Sequence, residues 1–280
     1  MPIHDARNCQ LGEGPLWHPQ ANQLYWFDIL KNTLLTSGPD GPGEWVFDAP
    51  VSAAGWVSIN QLFVASETQL FTFDLEAGAS ETVVPLDAEN PVTRSNDGRA
   101  DPQGGFWIGT MGKKFEPGVA AIYRYYRGEL RKLVEGLTVA NSICFAPDGR
   151  TAYYTDTPTR QIMAQPLDAD GWPKGAARVH IDLSGERPLP DGSIVDSEGA
   201  IWNAQWNMGR VARYLPDGSF DRAVPVPARR VACPALGGPD LKTLFVTTAR
   251  MGLDDPAPED GRVYCEEVEV PGLPEYRVVL

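Results

Sequence analysis

The sequence predicts an all-β fold, a six-bladed β-propeller, from two observations. Short runs that alternate apolar and polar residues, bounded by Gly, Pro, Asp and Asn, occur along the whole chain, whereas sustained helical periodicity is hard to find. One phrase also recurs: a turn that contains Asp, Asn or Glu near Gly, followed by a strand with an aromatic residue.

The recurring phrase appears six times, and an aromatic residue marks each copy. The six aromatics are Trp26, Phe63, Trp107, Tyr154, Trp202 and Phe245. They recur at intervals of 37 to 48 residues, close to the length of a four-stranded propeller blade. A β-sandwich would place strands at similar intervals but gives no reason for six copies. We therefore expect residues 1–280 to form a single six-bladed domain.

A closed ring needs its first and last blades joined, so the chain ends are expected to take part in closure. The candidates are the segment 276–280 and the strand-like segment 5–10.

Composition narrows the class of protein. A formal net charge of −13 argues against nucleic-acid partners, which require clustered Lys and Arg. The first residues lack the apolar region of a signal peptide, and no run of 18 apolar residues occurs. The four Cys are widely separated, without zinc-site spacing. We expect free thiols and a cytoplasmic protein without a membrane partner, either a monomer or a weak homo-oligomer.

The repeat also predicts which side chains meet at the axis. The residue about 11 to 13 positions before each aromatic should begin the innermost strand of its blade, and equivalent positions in a ring converge. These positions are Glu13, Ser52, Asn96, Asn141, Asp191 and Cys233. Four of the six carry carboxylate or amide oxygens, which suit a hard divalent cation such as Ca²⁺, Mg²⁺ or Mn²⁺ better than zinc, without forbidding zinc. The alternative is that these Asn and Asp residues satisfy local turns.

Four segments carry a resemblance to a known family. They are LGEGPLW (11–17), RSNDGRADPQGGFWIGTMG (94–112), ANSICFAPDGRTAYYTDT (140–157) and LPDGSIVDSEGAIW (189–202). In these segments the chain resembles the gluconolactonase family that includes senescence marker protein-30, also called regucalcin, and the luciferin-regenerating enzyme.

The resemblance implies a six-bladed propeller with one divalent metal, Ca²⁺ first among the candidates. It implies Glu13, Asn141 and Asp191 as metal ligands, and Arg94 and Asn96 as residues that contact substrate. Two departures occur: the segment from Lys113 to Gly118 cannot be matched to the family's variable lid, and position 142 is Ser where many members have Gly. The second is expected to have only local consequences.

The expected activity is hydrolysis of an aldono- or aldarolactone to the open-chain acid. The metal would polarise the carbonyl and lower the pKa of a bound water, and we assign Asp191 as general base. A G-x-S-x-G elbow is absent from the sequence. His18 is interpreted as structural, and Asp97 and Asp101 as turn residues that cap the backbone.

Three other functions stay open at this point. The first is a non-catalytic, calcium-binding regulatory propeller of the regucalcin type, whose metal site would be saturated by protein oxygens. The second is an enzyme of the same architecture that acts on an aryl or phosphate ester. The third is a protein-interaction propeller.

Overall fold

The computed structural model describes residues 1–38 and 41–280, which contain 24 strands in six four-stranded antiparallel sheets. The strands of the first half are β1 (Ile3–Asp5), β2 (Gly12–His18), β3 (Gln23–Asp28), β4 (Thr33–Gly38), β5 (Gly41–Val46), β6 (Val51–Ser58), β7 (Gln61–Ser66), β8 (Gln69–Asp74), β9 (Ser80–Pro85), β10 (Thr93–Ala100), β11 (Phe106–Gly112), β12 (Ala120–Tyr126) and β13 (Glu129–Leu137). The fold class predicted from the repeat, an all-β six-bladed propeller, is confirmed.

The second half continues the same pattern. Its strands are β14 (Ala140–Phe145), β15 (Thr151–Asp156), β16 (Gln161–Pro166), β17 (Arg178–Asp182), β18 (Pro190–Val195), β19 (Ile201–Gln205), β20 (Arg210–Tyr214), β21 (Phe220–Pro225), β22 (Val231–Gly237), β23 (Thr243–Thr248) and β24 (Val263–Glu267). Two single 3₁₀ turns, Ile29–Lys31 and Thr157–Thr159, follow β3 and β15. Among the described residues, no helix is long and apolar enough to cross a membrane.

The first strand of each blade is the innermost. The strands β2, β6, β10, β14, β18 and β22 contact one another in sequence around the ring, and β22 returns to β2. The aromatic phrase of the sequence forms the second strand of every blade, from Trp26 in β3 to Phe245 in β23. Outer strands such as β9 are largely exposed, whereas β2, β14 and β18 are buried throughout.

The core lies between and within the blades. Trp26, Trp107 and Trp202, at equivalent positions of three blades, have no exposed surface. Burial of such a large apolar side chain contributes about 1.5–3 kcal/mol or more to folding. The aromatic residue that marks the repeat is therefore also what packs one blade against the next.

The ring closes through the N-terminal strand. β1 pairs with β24 as the outer strand of the sixth blade, with Ile3 opposite Tyr264. The carbonyl oxygen of Gln10 accepts hydrogen bonds from the amides of Arg250 and Met251 in that blade. The prediction for segment 5–10 is thus confirmed in part, because the paired strand begins two residues earlier and ends at Asp5.

The prediction that segment 276–280 helps to close the ring is wrong. The amide of Val278 donates to the carbonyl of Trp56 at 2.9 Å, and the amide of Val279 donates to that of Gly104 at 2.8 Å, so the C-terminal segment lies against blades 2 and 3. Pro271 and Pro274 follow β24, and proline cannot donate to a strand ladder. The chain therefore leaves the sixth blade before its end.

The four cysteines and His18 have the structural states that the sequence predicts. Cys9, Cys144 and Cys233 are buried and Cys265 is half-buried, all as free thiols. The ring of His18 joins blades 1 and 2, since its Nε2 lies 3.0 Å from the carbonyl oxygen of Ser58. The structural interpretation of His18 is confirmed.

Candidate metal and substrate site

The five residues predicted as ligands or substrate contacts line one cavity of about 370 Å³. These residues are Glu13, Arg94, Asn96, Asn141 and Asp191. All five side chains are buried within the protein, each less than a tenth exposed. Residues from blades 1, 3, 4 and 5 therefore converge, although they are spread over 179 positions of the chain.

The polar side chains occupy irregular points of the inner strands. The pairing of β2 with β3 shifts after Glu13, that of β14 with β15 shifts after Asn141, and Asp191 lies inside the shift between β18 and β19. Asn96 lies inside the corresponding shift of β10. A bulge interrupts the alternation of a strand and re-aims a side chain. Four bulges thus accompany the polar groups that meet in the cavity.

Gly14 explains part of the GEGP motif. It has φ of +53°, and a Cβ atom there would lie 2.3 Å from the carbonyl oxygen of Ser52 in the next blade. Only glycine permits both the left-handed backbone and this close approach. The motif therefore places Glu13 beside the second blade.

The Asn141 amide is held in one orientation. Its Oδ1 accepts a hydrogen bond of 2.8 Å from Nδ2 of Asn96, and its own Nδ2 donates at 2.9 Å to Oγ1 of Thr157. The Thr157 hydroxyl donates in turn to the carbonyl of Pro190 at 2.8 Å. Because the Thr157 hydroxyl donates its one proton to Pro190, it can only accept a hydrogen bond from Asn141, and the atom facing it must be Nδ2. The Oδ1 atom of Asn141 therefore faces Asn96.

Ser142 connects two of the predicted ligand strands. Its backbone has φ of +59°, and its hydroxyl donates to the carbonyl oxygen of Asp191. Nδ2 of Asn203 approaches the same hydroxyl at 3.3 Å. Glycine adopts this left-handed conformation freely, but the Ser142 hydroxyl adds a bond between blades 4 and 5 that glycine could not make.

The charges of the site are poorly balanced around Glu13 and Asp191. Burial, followed by repulsion from Asp97, raises the pKa of Glu13 to about 8. Burial, followed by repulsion from Glu13 and Asp97, also raises the pKa of Asp191. Arg94 is the nearby cation that opposes both effects, and burial lowers its own pKa to about 10. A buried carboxylate pair beside an amide oxygen is a donor set that a hard divalent cation fits.

Arg94 is a buried residue of the cavity wall. Its Nη1 donates to the carbonyl of Ser95 at 2.7 Å and to Oδ1 of Asn96 at 3.0 Å. Only 6% of Arg94 is exposed, so it is not a surface residue.

Asp97 is buried outside the lining of this cavity, and its interpretation as a turn residue is wrong. It belongs to β10, is 4% exposed, and its Oδ2 accepts a hydrogen bond of 2.7 Å from the amide of Ile143 in the next blade. Burial raises the pKa of Asp97 to about 6. The NDG sequence that indicates a turn instead forms a bulge in an inner strand. For Asp101 the capping interpretation is confirmed, because it accepts hydrogen bonds from the amides of Gln103 and Gly105.

The rest of the cavity wall was not predicted from the sequence. It consists mainly of apolar side chains, together with Thr157 and Arg160: Leu11, Met111, Phe115, Val139, Pro158, Leu189, Trp206 and Met251. Phe115 comes from the segment between Lys113 and Gly118 that has no certain match in the family. The sequence signal that could have found Thr157 is its place at the end of the matched segment 140–157. Ser52 and Cys233 lie outside the lining of this cavity in the described chain, and Oγ of Ser52 instead donates to Oγ of Ser95 at 2.8 Å.

Comparison with known proteins decides the family. Residues 11–250 match the SMP-30/Gluconolactonase/LRE-like region. The chain belongs to this family. L-arabinolactonase of Azospirillum brasilense is 36% identical over 97% of this chain and 92% of its own length. 6-Deoxy-6-sulfogluconolactonase of Pseudomonas putida is 33% identical over 95% of this chain and 94% of its own.

A solved structure superimposes closely on this chain. The calcium-binding protein regucalcin of Agrobacterium tumefaciens has a TM-score of 0.97 and 39% identity, and the match covers 99% of this chain and 97% of that one. The resemblance inferred from the four sequence segments is thus confirmed at the level of the family and of the fold.

Proposed function

We propose that this chain is a sugar lactonase that binds one divalent cation through Glu13, Asn141 and Asp191. The observation that carries the proposal is the convergence of two buried carboxylates and one oriented amide oxygen in a cavity of about 370 Å³. The names of the two lactonase relatives support the reaction class, and the calcium-binding regucalcin supports Ca²⁺ as the first cation to test.

A lactone is an internal ester, so its hydrolysis needs an activated water and stabilisation of negative charge on the carbonyl oxygen. A divalent cation, when bound, supplies Lewis acidity and lowers the pKa of a coordinated water. Asp191 accepts the proton of the attacking water, because its carboxylate faces the same cavity as the substrate. Glu13 balances charge, and Asn141 contributes a neutral oxygen.

Arg94 and Asn96 orient the substrate. Nη1 of Arg94 donates hydrogen bonds to the carbonyl of Ser95 and to Oδ1 of Asn96. The remaining guanidinium donors are suited to sugar hydroxyls or to a carboxylate. The apolar wall beside them excludes water from the ring face of a bound sugar. These residues bind and position, and they transfer no proton.

The rival role, a regulatory calcium-binding propeller, predicts a site saturated by protein oxygens. The cavity instead continues past the predicted ligands to Phe115, Trp206 and Met251, which leaves space for an organic ligand. This space favours the enzyme over the regulatory protein.

The proposal is tested by a pH-indicator screen of the Ca²⁺-loaded protein against aldono- and aldarolactones. We expect acid release with at least one lactone, loss of activity after chelation, and recovery with Ca²⁺, Mg²⁺ or Mn²⁺. Full turnover by the metal-stripped protein would exclude the metal mechanism. Calorimetric metal binding without hydrolysis of any lactone would favour the regulatory role.

A further inference from the structure

Arg160 is a second cationic side chain on the cavity wall. Among the described lining residues, the cationic ones are Arg94 and Arg160. Arg94 is buried beside Glu13 and Asp191, whereas Arg160 is half-buried and follows the 3₁₀ turn Thr157–Thr159. The two guanidinium groups therefore belong to different parts of the cavity wall.

The position of Arg160 is fixed, but its charge is not paired. Its amide donates to the carbonyl of Thr157 at 3.1 Å, and its carbonyl accepts from the amide of Leu183 at 2.9 Å. Nη1 donates to the carbonyl of Glu186 at 3.0 Å. Within the described residues no carboxylate forms a salt bridge with Arg160, and its buried Nε has no partner. A guanidinium that is held in place and has no carboxylate partner within the described residues is a ready binding group for an anion.

The same turn in the first blade serves as an internal comparison. The 3₁₀ turn Ile29–Lys31 ends at Asn32 with φ of +55°, and its counterpart in blade 4 ends at Arg160 with φ of +58°. Asn tolerates the left-handed region, whereas an Arg residue there has a strained backbone. The backbone at position 160 therefore disfavours arginine. The Arg160 side chain nevertheless lines the cavity.

The charge of the cavity indicates what Arg160 could bind. The lining has two carboxylates, Glu13 and Asp191, and the buried Asp97 adds a third acidic group beside them. Arg94 lies beside Glu13 and Asp191. Arg160 is the second cation of the lining, so an acidic group on the substrate would be its charge partner. Because the whole protein carries −13, an anionic ligand needs such a local cation to bind.

Arg160 lies close along the chain to a residue that orients a predicted ligand. It follows Thr157 by three residues, and the Thr157 hydroxyl accepts a hydrogen bond from the amide of Asn141. Arg160 and Asn141 line the same cavity from blade 4, so one bound molecule can contact both.

We propose that Arg160 binds an acidic group at the end of the substrate opposite the lactone carbonyl, so that the preferred substrates are lactones of acidic sugars. The inference rests on the proposed lactonase function and names its substrate class. The shared chemistry is an oxyanion, which could be the carboxylate of an aldarolactone or the phosphate of a 6-phosphoaldonolactone.

The test compares the Ca²⁺-loaded wild type with Arg160→Gln and Arg160→Lys on three lactones: an aldonolactone, an aldarolactone and a 6-phosphoaldonolactone. In Arg160→Gln, the ratio of kcat/KM for the acidic lactone to kcat/KM for the aldonolactone should fall about 10- to 100-fold, mainly through KM. Arg160→Lys should recover part of this ratio, since charge remains and the planar fork is lost. The two acidic lactones show which oxyanion is preferred.

Arg150→Gln is the matched control, because Arg150 is exposed, lies outside the cavity lining and changes the net charge equally. An unchanged ratio in Arg160→Gln, or an equal fall in Arg150→Gln, would overturn the inference. If the wild type hydrolyses no lactone, the proposed function fails. The inference is then tested separately by calorimetric measurement of the affinities of the protein for aldarate and aldonate. A preference for aldarate that is lost in Arg160→Gln supports it, and equal affinities overturn it.

Discussion

Nδ2 of Asn96 donates a hydrogen bond of 2.8 Å to Oδ1 of Asn141 across the boundary between blades 3 and 4. A carbonyl oxygen has two lone pairs, so this bond leaves one for a cation. The bond from the Asn141 amide to Thr157 fixes which atom faces Asn96. A residue proposed to bind substrate and one proposed to bind metal are therefore directly linked.

We predict that Thr157→Val weakens metal binding. The change removes the hydroxyl that accepts from Asn141 and donates to Pro190, and the loss of a neutral hydrogen bond costs about 0.5–1.5 kcal/mol. Calorimetric titration with Ca²⁺ should show an affinity lower by about 2- to 10-fold. Thr157→Ser, which retains the hydroxyl, is the control and should bind nearly as tightly as the wild type. Equal affinities in Val and Ser variants would contradict this role of Thr157.

The metal-free protein should lose stability as pH rises. The pKa of Glu13 is raised to about 8 in the folded state from an ordinary value of 4.5, so the folded protein holds this proton more tightly. The stabilisation is complete below about pH 4.5 and is lost as pH approaches about 8. Burial also raises the pKa values of Asp191 and Asp97, and both shifts act in the same direction.

Thermal unfolding of the metal-free wild type and Glu13→Gln, from about pH 5 to about pH 8, checks this sign. The melting temperature of the wild type should fall relative to that of the variant as pH increases. Excess Ca²⁺ should stabilise the wild type most at high pH, because the ionised carboxylate is the binding form. If the melting temperatures of the two proteins change with pH in parallel, Glu13 is not the cause of the loss of stability.

The inner strands show how far the sequence alone leads. The aromatic repeat predicts that Glu13, Asn141 and Asp191 meet, because a ring brings similar offsets together, and the three residues do line one cavity. The bulges beside these residues interrupt the strand pairing within each blade, and the alternation of apolar and polar residues in the sequence does not mark where such an interruption falls. This is also why Asp97, in a sequence typical of a turn, proves to be part of a buried strand.

Residues outside the repeat offset were missed for another physical reason. Thr157 and Arg160 follow a second strand and reach the cavity through the 3₁₀ turn between them. The corresponding turn of blade 1 contributes Asn32, which does not line the cavity in the described chain. Repeat position alone therefore cannot tell which turns supply functional side chains.

Arg94→Gln should separate substrate binding from metal binding. Removing one cation beside Glu13 and Asp191 makes the site more negative, so metal affinity should stay equal or increase. Loss of the charge-assisted contact with substrate should raise KM by the equivalent of about 1.5–3 kcal/mol. Kinetics at saturating Ca²⁺ and calorimetry measure the two effects, and Arg94→Lys tests whether charge without the planar fork is sufficient. A weaker metal site with unchanged KM would argue against substrate contact.

Asp191→Asn should abolish hydrolysis while the propeller stays folded. The substitution keeps the size of the side chain, and the Ser142 hydroxyl bonds the backbone carbonyl of residue 191, which is unchanged. Loss of a general base lowers kcat by about 10²- to 10⁴-fold. Circular dichroism and thermal unfolding check the fold, and Asp170→Asn, at an exposed position, controls for the loss of one negative charge.

The same variant distinguishes the two roles proposed for Asp191. If the carboxylate only binds metal, the activity of Asp191→Asn should recover once Ca²⁺ exceeds its weakened dissociation constant. If it also accepts the proton of the attacking water, kcat stays low at saturating metal because an amide has no basic site of comparable strength. Titration of activity against Ca²⁺, with occupancy measured by calorimetry in the same samples, separates these results. Full recovery of activity at saturating Ca²⁺ would show that another group in the cavity is the general base.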